Sequence, residues 1–112
     1  MPDDDQAEIV IRSSRALPEA VANEVADITF ELTRLGYRVE HVSQTGQQTV
    51  SKEGRVAVEI VRAADAAALC GALVATITRV WKRSRRGSRY LVTIHGPDGE
   101  PLGRLYRLQT RG

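Results

Sequence analysis

The sequence predicts an α+β domain: one largely antiparallel sheet of four to five strands, two helices packed on one of its faces, and the element order β-α-β-β-α-β-β. Three observations predict it. The stretch 62–86, RAADAAALCGALVATITRVWKRSRR, carries no charge between Asp65 and Arg79 and then ends in a cluster of cations. Val21, Val25, Ile28, Leu32 and Leu35 recur at helical spacing, as an amphipathic stripe must. Short β-branched or alternating runs fill the rest, punctuated by glycine-containing turns.

Taken in order, residues 1–6 are expected to form a disordered, solvated tail, and residues 7–112 a single domain. Residues 7–12 read as a strand. Its centre, Ile9-Val10-Ile11, is apolar on both faces, which suits an interior place in a sheet. Pro18 opens the first helix, where its fixed φ is tolerated, and Gly36 closes it. Residues 37–42 form a second strand, with Tyr37 and Val39 on one face. A polar turn containing Gly46 follows, then a short run at 49–52. Val56, Val58 and Ile60 alternate with Ala57 and Glu59 as a half-buried strand. Residues 45–60 are therefore expected to be paired strands around a polar turn.

The long helix comes next. Large residues fall at Leu69, Leu73, Ile77, Val80 and Trp81, on one side. Asp65 suits the positive end of the helix dipole, and Lys82, Arg83, Arg85 and Arg86 suit the negative end. Gly87 is the natural stop. Ala66, Ala67, Ala68, Gly71, Ala72 and Ala75 make the first half narrow and apolar nearly all round, so the sheet and the other helix, or a second copy of the chain, must cover it. Tyr90, Val92 and Ile94 then alternate through a strand, Gly96-Pro97-Asp98-Gly99 turns, and residues 102–108 pair back.

Composition bounds the function. One cysteine excludes an internal disulfide or a cysteine-rich zinc site, and Cys70, mid-helix, reads as a buried thiol. The uncharged run is shorter than the ~20 apolar residues a membrane span takes, and residues 1–8 lack the basic and apolar regions of a signal peptide. A cytoplasmic protein that does not engage the membrane is expected. His41 and His95 have no companions at metal-ligand spacing, and Ser13 and Ser14 have no base in view, so no cofactor, metal site or catalytic cluster is expected and the chain does not read as an enzyme.

The second half resembles the effector-associated constant component family of small bacterial domains. The resemblance rests on the alanine-rich uncharged helix, its ending in Trp81-Lys82-Arg83-Ser84-Arg85-Arg86, and the strand Leu91-Val92-Thr93-Ile94 leading to Gly96-Pro97-Asp98-Gly99. It implies a non-enzymatic adaptor that accompanies an effector in a bacterial conflict or signalling system.

Two surfaces carry functional weight. Ala68, Gly71, Ala72 and Ala75 share one side of the long helix, and small residues permit close backbone approach. A homodimer or another protein partner is expected there. Lys82, Arg83, Arg85, Arg86 and Arg89 form a basic patch flanked by Trp81 and Tyr90, which suits an anionic partner. A small nucleic-acid-binding domain is accordingly the alternative. The net charge of +2 argues for neither.

Overall fold

The computed structural model describes residues 6–14, 19–44, 54–84 and 89–107. The elements are β1 (Glu8–Ser14), α1 (Glu19–Arg34), β2 (Arg38–Gln44), β3 (Gly54–Arg62), α2 (Ala66–Arg83), β4 (Tyr90–His95) and β5 (Pro101–Arg107). Expectations for residues 1–5, Pro18, Gly46, the run at 49–52, Arg85, Arg86, Gly87 and Leu108 lie outside the described residues. Gln6, assigned to the tail, donates its side-chain amide to the Gly36 carbonyl at 2.9 Å.

The element order is as expected, but the sheet is mixed. Its strand order is β2-β1-β3-β4-β5. β1 runs parallel to β2, and β3 parallel to β4; β1 with β3 and β4 with β5 are antiparallel. The expectation of a largely antiparallel sheet is corrected for a simple reason. Each helix joins two strands that end up side by side, and a helical crossover returns the chain to the end it left, so those strands must be parallel. β2 and β3 do not pair, because β1 lies between them.

The result is two βαβ halves, β1-α1-β2 and β3-α2-β4, that grow outward from an antiparallel centre. A topological two-fold axis normal to the sheet relates them. Rotation about such an axis gives both crossovers the same hand and puts both helices on the same face, and the right-handed form is the one such crossovers favour. Between helices and sheet lies the core: Ile9, Ile11, Val58, Ile60, Val92 and Ile94 from the strands, against Val21, Val25, Ile28, Leu32, Leu69, Leu73, Ile77 and Val80. Leu73 and Ile77 are fully buried, each contributing ~1.5–3 kcal/mol relative to an exposed side chain. Leu35 is the exception in its stripe. It is 48% exposed, because α1 has already ended at Arg34 and Gly36 has turned the chain left-handed at φ +101°.

α2 is shorter than its sequence signal. Asp65 stands outside it as the N-cap, accepting a hydrogen bond from the Ala68 amide at 3.1 Å. At the other end Ser84 caps it, its amide reaching the carbonyls of Val80 and Trp81. Cys70 is buried where α2 crosses β5. A β-carbon added at Gly103 would stand 3.1 Å from the Cys70 sulfur, so the absence of a side chain there lets the helix sit down on the strand.

Candidate interaction surfaces

Of the strip Ala68, Gly71, Ala72 and Ala75, three residues stand exposed and Ala72 does not. Ala67, Ala68, Gly71 and Ala75 face outward and exposed, and Ala72 is half-buried. From Ala66 to Thr78 no exposed α2 side chain is charged; Arg79 is the first. A solvent-facing helix side ordinarily carries polar groups. On α1, Phe30 is 67% exposed in the same helical layer. Its exposure was legible, since Phe30 falls outside the stripe of Val21, Val25, Ile28 and Leu32.

The basic patch is only partly free. Lys82 is exposed. Arg83 reaches back to α1 and places its Nη2 3.3 Å from Glu31, whose other oxygen lies 3.0 Å from Arg34. The hydrogen bond from Arg34 holds the Glu31 carboxyl below the usual carboxylate range; burial pulls the other way, and Arg83 adds to the lowering. Arg89 turns toward the sheet, its Nη2 donating to the Tyr106 hydroxyl at 3.4 Å.

The aromatic neighbours of the patch point inward. Trp81 and Tyr90 are buried, edge to face, with ring centroids 5.7 Å apart, and the Trp81 indole donates to the Tyr90 hydroxyl at 2.6 Å. Neither can stack on an external base. They belong to a buried polar cluster that the sequence reading missed. Glu24 of α1 and Arg107 of β5 pair there at 3.3 Å, and the guanidinium carbon lies 5.6 Å from the centre of the Trp81 ring. Burial pushes the Tyr90 hydroxyl far above its ordinary range. The Trp81 hydrogen bond opposes that shift and the Glu24 carboxylate adds to it. A signal existed: Glu24 and Glu31 fall in step with Val21 and Ile28, and Arg107 shares the inward parity of Gly103 and Leu105.

Among the described residues no element packs on the sheet face opposite the helices, and its acidic side chains lie toward one end of the strands, with Arg38 and Arg62 beside Glu8 there. Glu8, Glu40 and Glu59 stand toward the end where β1 starts. Glu8 pairs with Arg62, and Glu59 with Arg12. Toward the opposite end, Arg55, Leu91 and Tyr106 form one cross-strand row, with Thr93 and Arg104 in the next. Near the acidic end an open depression of about 430 Å³ is lined by Ala57, Glu59, Val61, His95 and the hairpin turn.

Two histidines have local partners. His95 Nε2 lies 3.1 Å from the Thr93 hydroxyl on the open face. His41 Nε2 lies 2.8 Å from the Ser13 hydroxyl, across the parallel β1–β2 pair. No local pattern signals this pairing, because only the crossover makes these strands neighbours. Among the described residues no carboxylate bonds the His41 ring, and no group of three potential metal ligands gathers. No helix among them is long and apolar enough to cross a membrane. Comparison with family models, curated proteins and solved structures finds no match.

Proposed function

We propose that this domain is a non-enzymatic protein-interaction module that self-associates through the outer side of α2 and serves as an adaptor beside an effector in a bacterial conflict or signalling system. What supports the reading is the charge-free, exposed surface of Ala67, Ala68, Gly71 and Ala75. Solvent does not require such a face; close approach of another backbone does. A two-fold axis along it would set the strip against its own copy, in an isologous contact. The effector association rests on the resemblance of the second half alone.

Sedimentation velocity over a concentration series tests the self-association. Ala75→Glu is the informative variant, because Ala75 is exposed and a surface substitution there changes stability by only about 0.5 kcal/mol. Ala72→Glu is less clean, since Ala72 is half-buried and its carbonyl accepts from Thr76. The expected result is a dimeric native protein and a folded monomeric Ala75→Glu. A native monomer at high concentration, or a dimeric variant, would refute the assignment.

A second reading, a small nucleic-acid-binding domain, is favoured by one observation: basic residues gather at one end of the fold, with Lys82 on α2 and Arg55, Arg89 and Arg104 on or beside the open sheet.

A further inference from the structure

We infer that the open face of the sheet, centred on the Leu91–Tyr106 pair, is a docking surface for single-stranded nucleic acid; this deepens the second reading above and rests on it. The basic run at the end of α2 would set an anionic partner there, with Trp81 and Tyr90 for stacking. The geometry rules out those two rings, because both are buried. It offers another in their place. Tyr106 is 41% exposed and lies directly across from the half-buried Leu91. Together they make an apolar step on which a base can lie flat.

Cations surround that step. Arg55 pairs across from Leu91, and Arg104 lies one row on. Both are exposed, and neither makes an ion pair with a described residue. Arg89 meets the Tyr106 hydroxyl, so it joins the helix end to the sheet face. Among the described residues, no acidic side chain shares this end of the open face; Glu8, Glu40 and Glu59 lie toward the other.

Charge complementarity therefore selects the occupant. A protein partner would need an acidic patch alone. The combination of a flat aromatic with flanking guanidiniums suits a chain that alternates phosphates with bases. A single strand fits better than a duplex, because only unpaired bases can stack on a side chain projecting from a sheet. The thymine- or uracil-like bases of a homopolymer suffice, since every base has a π-face.

The test uses the full chain and fluorescein-labelled oligo-dT and oligo-U of about 12 nucleotides, a length within the site sizes of such folds, with a duplex of equal length as comparison. Anisotropy is followed from low to high salt. Single strands are expected to bind at low salt, more tightly than the duplex. Tyr106→Ala is expected to weaken binding about tenfold or more, and Tyr106→Phe to restore it, because the ring and not the hydroxyl stacks. Arg55→Gln with Arg104→Gln is expected to make the salt slope shallower by about 0.7 per lost phosphate contact. Urea unfolding of each variant confirms that these exposed positions leave the fold intact. Loss of binding on Lys82→Ala and Arg83→Ala, with the sheet variants unaffected, overturns the inference and leaves the second reading standing. No binding of any strand at low salt overturns both. Equal affinity for duplex removes the stacking argument, and with it the inference.

Discussion

Removing the carboxylate of Glu24 is expected to destabilise the domain far more than removing the whole Glu24–Arg107 pair. The two side chains are 4% and 7% exposed, and they meet at 3.3 Å between α1 and β5. Glu24→Ala leaves the Arg107 guanidinium in the interior, beside the Trp81 ring, without its carboxylate partner. Breaking a buried pair by deleting one partner costs about 3–5 kcal/mol. In a domain of this size each kcal/mol lowers the midpoint of thermal unfolding by roughly 4–8 °C, so a fall on the order of 15 °C or more is expected. The double variant Glu24→Leu, Arg107→Met should behave differently. Glu24 Oε1 and Arg107 Nε have no hydrogen-bond partner. The pair thus leaves part of its desolvation cost uncompensated, and apolar side chains of similar volume are neutral or stabilising by ~1–4 kcal/mol in such settings. Urea and thermal unfolding of the wild type, both single variants and the double close the cycle. A Glu24→Ala cost below about 1 kcal/mol, or a double variant no more stable than the sum of the singles, would refute the reasoning.

Two further outcomes follow from the described contacts. Glu31 is more acidic in the folded state than unfolded, chiefly through Arg34. Its contribution is therefore complete above the unfolded carboxyl pKa of about 4.3 and is lost as pH falls through the lower folded value. Glu31→Gln should flatten the acid limb of a stability–pH curve while leaving its shape at neutral pH unchanged. Gly103→Ala should cost about 1–3 kcal/mol through the close Cys70 contact, and far less in a Cys70→Ala background, as paired urea melts would report.

Much of the fold was legible in the sequence because local signals carried it. The stripe of α1, the alternation of Val56, Val58 and Ile60, and the Gly96–Gly99 turn each depend on neighbours in the chain. Strand partnership does not. Which strand lies beside β1 depends on where α1 returns the chain, and no local periodicity records that. The same gap hid the Ser13–His41 contact and the Glu24–Arg107 pair, whose members come from separate elements. The site expectations divide likewise. The outward side of Ala68, Gly71 and Ala75 follows from helical spacing. The inward turn of Trp81 and Tyr90 required knowing that Glu24 and Arg107 meet beside them. The outward turn of Tyr106 follows from β5 parity once Arg107 is known to be buried.

Nearly every sheet neighbour in this fold comes from the same half of the chain. β2 finds β1 across α1, β4 finds β3 across α2, and β5 finds β4 across a tight turn. Only the β1–β3 ladder joins residues from opposite halves, with Ser13 beside Val56 at one end and Glu8 beside Arg62 at the other. Folding kinetics should bear that division. Each half closes its own crossover over a shorter stretch of chain, while the β1–β3 ladder joins the residues farthest apart in sequence and so carries the larger loop-closure cost. The central seam of the sheet is thus expected to form last, and the β4–β5 hairpin at the far edge among the first.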